Sequence, residues 1–196
     1  MLNFIDTYNK MTGGLSILAW KGGVGKKLLW KRDYENLVVN VARKCMSRLI
    51  GGNAAIIAHT PSVEGITITD VSQLFVKYMK WSYDSAKTDP QLTDTTLDGV
   101  VVTDISGAIT EAEVLSYFPT TSNKAVTFRA CIGSIPASVS GMTTLLVPTG
   151  TQFNQEGIFT PGDNITPVRL LFAKRLFETI TVGADMVYEC RHTLIF

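Results

Sequence analysis

The C-terminal residues 186–196 alternate between apolar and polar side chains, and this pattern constrains the fold more than any other feature of the chain. One face of the segment carries Met186, Tyr188, Cys190, His192, Leu194 and Phe196. The opposite face carries Glu189, Arg191 and Thr193. A period of two residues is typical of a half-buried strand in an antiparallel sheet. The sequence therefore predicts that residues 186–196 form such a strand.

Similar short runs recur along the chain after Gly52 and predict further strands. They cover residues 53–59, 64–69, 98–104, 125–133, 142–147 and 167–178. Turn-rich stretches separate them and predict loops at 84–97, 133–141 and 148–166. Short strands with turn signals between them are typical of sandwiches and barrels. We therefore predict a mainly β (α+β) protein with an antiparallel β-sandwich or jelly-roll-like domain.

Two short segments within this β region carry helical signals. The spacing of apolar side chains predicts a helix at the start of 70–83, and the aromatic-rich composition predicts a strand at its end. Thr110 and Glu113 fit a capping box, which predicts a short helix over 111–117.

The length and composition fit one compact domain. A chain of 196 residues is long enough to bury a substantial core without disulfides or metals. Hydrophobic residues make up 45% of the chain and charged residues 18%, against a usual charged fraction of about 25%. This composition excludes disordered, collagen-like and coiled-coil chains. Cys45, Cys131 and Cys190 are widely spaced, which predicts reduced, buried thiols and no disulfide framework.

The formal net charge of +1 is the sum of two very different parts. Residues 1–50 hold nine basic and three acidic residues, a net charge of +6, whereas residues 51–196 hold nine basic and fourteen acidic residues, a net charge of −5. Such asymmetry indicates that the basic part contacts a polyanion. We therefore divide the chain into a basic N-terminal segment, 1–52, and a Thr-rich antiparallel β domain, 53–196.

Residues 34–50 have the periodicity of an amphipathic helix. One helical face would collect Tyr34, Leu37, Val38, Val41, Cys45 and Leu49. Asp33 is suited to cap the first turn, and Gly51-Gly52 would end the helix. The basic segment is therefore predicted to be partly helical.

The string Lys21-Gly22-Gly23-Val24-Gly25-Lys26 resembles the deviant Walker A motif of ParA/MinD-type ATPases. That resemblance implies a P-loop whose glycines cradle phosphates while a lysine neutralises them. Lys27 stands where the family has its metal-binding Thr or Ser, and the remainder of the chain lacks an alternating βαβ pattern. The alternative interpretation is a flexible basic turn.

Basic and aromatic residues alternate around this string. Basic side chains suit phosphates and aromatic rings suit bases, so the pattern indicates single-stranded nucleic acid. It is also typical of a segment that lies on an anionic membrane surface, and the tryptophans could equally belong to the core. The candidate nucleic-acid-binding residues are Trp20, Lys21, Lys26, Lys27, Trp30, Lys31, Arg32, Arg43, Lys44 and Arg48.

The sequence contains few candidate catalytic residues. Cys190 and His192 share one strand face and would form half a metal site, but a core position explains them better. The chain contains no nucleophile elbow and no paired-acid motif. We therefore expect no catalytic residues, no metal and no cofactor.

These patterns together favour a self-assembling structural protein, most like a small viral coat (capsid) subunit whose basic N-terminal segment faces nucleic acid. Its partners would be copies of itself and, through the basic segment, nucleic acid such as RNA. The alternatives are a ParA/MinD-like P-loop ATPase and a matrix-like peripheral membrane protein. Neither a signal peptide nor a membrane span is evident, so we expect the protein in the virion or the host cytoplasm.

Overall fold

The computed structural model describes residues 12–38, 62–63, 66–67, 70–117, 125–161 and 169–195. This part of the chain is built mainly from β-strands. The first strands are β1 (Thr12–Lys21), β2 (Lys27–Val38), β3 (Ser62–Val63), β4 (Ile66–Thr67), β5 (Tyr78–Tyr83), β6 (Val100–Val101) and β7 (Ala112–Glu113). The remaining strands are β8 (Leu115–Tyr117), β9 (Ala125–Gly133), β10 (Thr144–Leu146), β11 (Gln152–Thr160), β12 (Leu170–Thr181) and β13 (Met186–Ile195).

Two sheets, rich in antiparallel pairs, carry most of these strands. Sheet 1 has the order β10-β9-β13-β1-β2, with β8 also paired to β9, and its only parallel pair among the described strands is β10 with β9. Sheet 2 has the order β12-β11-β5-β6, with β7 also paired to β5. The two sheets are joined where the end of β2 pairs with β12.

The inner faces of the two sheets meet in a shared apolar core. The Trp81 indole on β5 donates a hydrogen bond to the Cys190 sulfur on β13 over 3.4 Å. The Phe153 ring on β11 meets the Tyr188 ring on β13 edge-on, with centroids 5.8 Å apart. The first contact joins residues 109 positions apart along the chain and the second joins residues 35 positions apart, so only the folded chain brings them together.

Most predicted strands are present in the structure. The segments 125–133 and 186–195 are strands as predicted, and the apolar inner face of β13 is buried from Met186 to Leu194. Shorter strands lie within the predicted 64–69, 98–104 and 142–147. Strand β12 overlaps the predicted 167–178 and continues to Thr181. The predicted strand at 53–59 lies outside the described residues. The strand predicted at the end of 70–83 is present as β5, whereas the helix predicted at its start is a single 3-10 turn over Val71–Leu74.

Two local predictions were wrong. Residues 111–117 form β7 and β8 instead of a short helix, because both segments pair with neighbouring strands. The predicted loop 148–166 contains β11, which is buried from Phe153 to Thr160. The prediction missed this strand because its Asn, Gln, Glu and Gly residues are typical of loops. Asn154 and Gln155 are buried because their amides bond to other segments of the chain.

The helix predicted over 34–50 is contradicted at its start, since residues 34–38 are the end of β2. Tyr34 pairs with Leu15 on β1, so tertiary pairing overrides the local helical periodicity. Residues 39–50 lie outside the described part, as does the boundary predicted at residue 52. The described part of the basic segment is continuous with the β domain, because β1 lies between β13 and β2 in sheet 1.

Candidate nucleic-acid interface

The glycine-rich string forms the turn of a β-hairpin between β1 and β2. Gly22, Gly23 and Gly25 have φ values of 77°, 117° and 82°, a left-handed region that favours glycine. Two amides fix the turn to the rest of the fold, since Gly22 donates to the Asp185 carbonyl over 2.9 Å and Val24 donates to the Ala137 carbonyl over 3.0 Å. The glycines therefore serve a tight, anchored turn.

This geometry does not support the P-loop ATPase alternative. A phosphate-binding loop leads from a strand into a helix whose first amides face the phosphates. Here the chain enters strand β2 at Lys27, and the amides of Gly22 and Val24 already donate to protein carbonyls.

Three lysines of the predicted site lie at the exposed tip of the hairpin. Lys21, Lys26 and Lys27 are exposed, and none forms an ion pair with another residue in the described part of the chain. Lys31 pairs with Asp33 over 2.9 Å and Arg32 with Glu178 over 2.6 Å. Among the described residues, the tip therefore carries three lysines that have no ion-pair partner.

The two tryptophans point to opposite faces of sheet 1. Trp30 packs on the core, with its ring centroid 5.9 Å from that of Tyr188. Trp20 lies on the outer face, in a small cluster with Cys131, Ala137 and Val187. Both rings are half-buried. The structure therefore brings the lysines to one tip but does not present the two rings as a common stacking surface.

The remaining predicted site residues are Arg43, Lys44 and Arg48, which lie outside the described residues. Their contribution to the interface stays a prediction.

The outer face of sheet 1 holds a charged cluster that the sequence-based site did not include. Glu189 on β13 is fully buried, and its carboxylate accepts hydrogen bonds from Arg129 Nε over 2.7 Å and Arg191 Nε over 2.8 Å. The Trp20 indole also donates to it over 3.3 Å. We call Glu189, Arg129, Arg191 and Trp20 the Glu189 cluster.

Electrostatics keep the Glu189 carboxylate ionised. Burial raises its pKa, but the hydrogen bonds and charges of Arg191 and Arg129 outweigh burial and hold the pKa below the ordinary value of 4.5. One carboxylate thus orients two guanidinium groups, and the cluster keeps one net positive charge.

The alternating pattern of β13 already indicated part of this cluster from the sequence. That pattern places Glu189, Arg191 and Thr193 on the polar face, and the structure confirms that they share the outer face. Arg129 could not be added from sequence, because its position opposite Arg191 depends on the register between β9 and β13.

Cys190 and His192 occupy the core, as the interpretation of β13 predicted. His192 Nδ1 lies 3.0 Å from a Glu156 carboxylate oxygen, and both side chains are fully buried between the sheets. Cys190 accepts the Trp81 hydrogen bond, and burial raises its pKa well above the ordinary thiol value. These residues connect the two sheets.

Comparison with known proteins does not assign the chain to a group. No family model, no curated protein and no solved structure matches it.

Proposed function

We propose that the protein is a self-assembling structural subunit, most like a small viral coat subunit, whose basic N-terminal segment faces nucleic acid. The two facing antiparallel sheets would form the β-sandwich, of jelly-roll type, that builds the shell. Its partners would be further copies of the chain and a nucleic acid such as RNA. The virion or the host cytoplasm would be its location.

One observation carries the assembly part of this proposal. Strand β6 is the last of the described strands of sheet 2, and the segment that it begins exposes three large apolar side chains. Val100 is 74% exposed, Ile105 65% and Ile109 53%. Val100 lies in β6, and Ile105 and Ile109 lie in the turn that follows it. An exposed apolar patch of this kind is a favourable place for contact with another protein chain.

The segment is also ordered in advance of any contact. The Asp104 carboxylate accepts hydrogen bonds from the amides of Ala108 and Ile109, each over 3.0 Å. The Ile105 amide donates to the Leu146 carbonyl on β10 over 2.8 Å, which ties the segment to sheet 1. A surface that is already ordered loses little conformational entropy when a neighbour binds.

The exposed lysines at the hairpin tip support the nucleic-acid part of the proposal. Lys21, Lys26 and Lys27 have no acidic partner among the described residues, so they are available for phosphates. Binding through them would weaken steeply as the salt concentration rises.

Native mass measurement tests the assembly. We expect the wild-type chain to form a large oligomer and the double variant Val100→Lys, Ile105→Lys to remain monomeric. Both side chains are largely exposed, so the variant should retain wild-type thermal stability. Phe75→Lys, at a 53% exposed apolar side chain after the 3-10 turn, is the matched control and should still assemble. A wild-type chain that stays monomeric at all concentrations would exclude this function.

A peripheral membrane protein is the second candidate, and one observation favours it. Leu28 and Leu29 follow the hairpin lysines directly and are 45% and 44% exposed. Apolar side chains beside lysines suit the boundary between headgroups and acyl chains. Within the described residues no helix has the length and apolar character of a membrane span. Co-sedimentation with anionic vesicles, lost in Leu28→Ser, Leu29→Ser, would support this candidate over nucleic-acid contact.

A further inference from the structure

The outer face of sheet 1 places two arginines side by side. Arg191 on β13 and Arg129 on β9 are register partners, so they lie on neighbouring strands about 5 Å apart with their side chains on the same face. Like charges directly opposite each other destabilise a sheet. The buried Glu189 carboxylate offsets only one of the two charges.

Glu189 fixes the two guanidinium groups but accepts hydrogen bonds from only some of their N–H donors. Each contacts Glu189 through its Nε and one Nη atom. A guanidinium carries five N–H donors, so each arginine keeps donors that have no partner in the described part of the chain. Their side chains are 24% and 38% exposed. A fixed pair of outward donors suits the oxygens of a phosphate group.

An exposed aromatic ring lies on the same face. Tyr117 on β8 pairs with Thr127 on β9, two residues from Arg129, and is 51% exposed. Thr127 and Thr193 share a hydrogen bond of 2.9 Å between their hydroxyl groups, which confirms that these strands present one continuous face. Gly14 on β1, paired with Thr193, adds no side chain to this surface.

We infer that this face, with Arg129, Arg191 and Tyr117, is a binding surface for single-stranded nucleic acid. The arginines contact phosphates and the Tyr117 ring stacks on a base, an arrangement that needs no particular base sequence. The hairpin lysines extend from the same sheet and add positive charge at its Trp20 end. The inference rests on the proposed function, since it specifies where the nucleic acid of that proposal binds.

The surface differs from the site that the sequence indicated in its stacking ring and in its two arginines. The sequence placed base stacking on Trp20 and Trp30, but both rings pack on the protein. Tyr117 is the exposed ring of the face, and Glu189 is a positioning residue because it acts only through the two arginines.

Fluorescence anisotropy with a labelled single-stranded oligothymidylate of about 20 nucleotides tests the inference. Tyr117→Ala should weaken binding about tenfold, because one stacked base is lost. Phe75→Ala removes an equally exposed ring elsewhere and should leave the affinity unchanged. Arg191→Gln keeps Glu189 paired with Arg129 and should lower the slope of log K against log salt by about 0.7, the value for one phosphate contact on a single strand.

Ultraviolet cross-linking supplies a readout that does not depend on affinity. The oligonucleotide should cross-link to a peptide that contains Tyr117, and Tyr117→Ala should abolish this cross-link. Wild-type affinity in both Tyr117→Ala and Arg191→Gln, with binding lost on neutralisation of Lys21, Lys26 and Lys27, would overturn the inference and leave the proposed function in place.

Other outcomes separate the two proposals further. A chain that assembles but binds no oligonucleotide overturns this inference while the assembly stands. A chain that stays monomeric yet loses oligonucleotide binding in Tyr117→Ala supports the inference and excludes the coat-like function. Binding of anionic vesicles, but not of oligonucleotide, by this face would also overturn it.

Discussion

The outer faces of the two sheets carry the same electrostatic arrangement with opposite signs. On sheet 1 the buried Glu189 carboxylate holds two arginines. On sheet 2 the Lys174 ammonium, which is also fully buried, holds two carboxylates: Asp94 over 2.6 Å and Asp98 over 2.7 Å. In both places one buried charge has two partners of opposite sign, so a single charge is left in excess.

The two arrangements differ in the segments that supply the two outer charges. Asp94 and Asp98 belong to a loop that crosses the outer face of sheet 2, and Leu97 of that loop is buried over Gly157. Arg129 and Arg191 belong to strands of sheet 1, so their pairing brings no segment across that face. The same arrangement therefore fixes a loop of the chain on sheet 2, whereas on sheet 1 both charged partners come from strands and keep part of their side chains exposed.

Removal of the buried lysine should have the largest effect on stability. Lys174→Met leaves Asp94 and Asp98 close together without their common cation, which should lower the free energy of unfolding by about 3 kcal/mol. Urea unfolding measures this change. The exposed Lys87 in the same loop is the matched control, and Lys87→Met should change the free energy by less than about 0.5 kcal/mol. Equal effects at the two positions would show that Lys174 does not hold the loop.

The corresponding change on sheet 1 should depend on pH. Because the folded pKa of Glu189 is lowered, its stabilising contribution is present above its unfolded pKa and is lost as the pH falls through the folded pKa. Glu189→Gln should therefore cost about 2 kcal/mol at pH 7, the value of a charge-assisted hydrogen bond, and much less in acid.

Urea unfolding at neutral and acidic pH measures that contrast. Glu178, whose side chain is 78% exposed beside Arg32, is the matched control. Glu178→Gln should change the free energy by less than about 0.5 kcal/mol at neutral pH. Curves of wild type and Glu189→Gln that stay parallel down to low pH would contradict the role given to the Glu189 carboxylate.

Two glycines allow the outer faces of the two sheets to be compared directly, with the smallest expected changes in stability. Gly157 lies beneath the loop on sheet 2, and Gly14 lies on the outer face of sheet 1. A Cβ at Gly157 would lie 2.9 Å from Leu97 Cδ2 and 3.1 Å from the Ala173 carbonyl, so Gly157→Ala should cost about 1–2 kcal/mol. A Cβ at Gly14 would meet only the Tyr34 carbonyl, at 3.6 Å. Gly14→Ala should raise stability by about 0.5 kcal/mol, since alanine loses less entropy in a strand. A destabilised Gly14→Ala would show that this face is also covered.

Sequence reasoning predicted the strands whose patterns are local. The alternation over 186–195 follows from one strand having one buried face, and the apolar run over 125–133 is equally self-contained. The basic character of the N-terminal segment was also evident from composition, and the exposed lysines at Lys21, Lys26 and Lys27 agree with it.

The failures share a physical cause, which is that distant parts of the chain decided them. Residues 34–38 have helical spacing, yet β1 supplies the hydrogen bonds that make them a strand. The glycine string resembles a phosphate loop, but its amides donate to Asp185 and Ala137, more than a hundred residues away. Polar residues of β11 are buried because other segments provide their partners.

The sequence by itself determined that this is a charge-poor, mainly β protein with an excess of positive charge near its N-terminus, because period and composition are properties of neighbouring residues. Only the tertiary structure decided which charged side chains of the β domain meet. Strand register places Arg129 opposite Arg191 and Glu189 beneath both, and loop closure buries Lys174. Contacts of this kind depend on residues 60 to 80 positions apart, which no local pattern records.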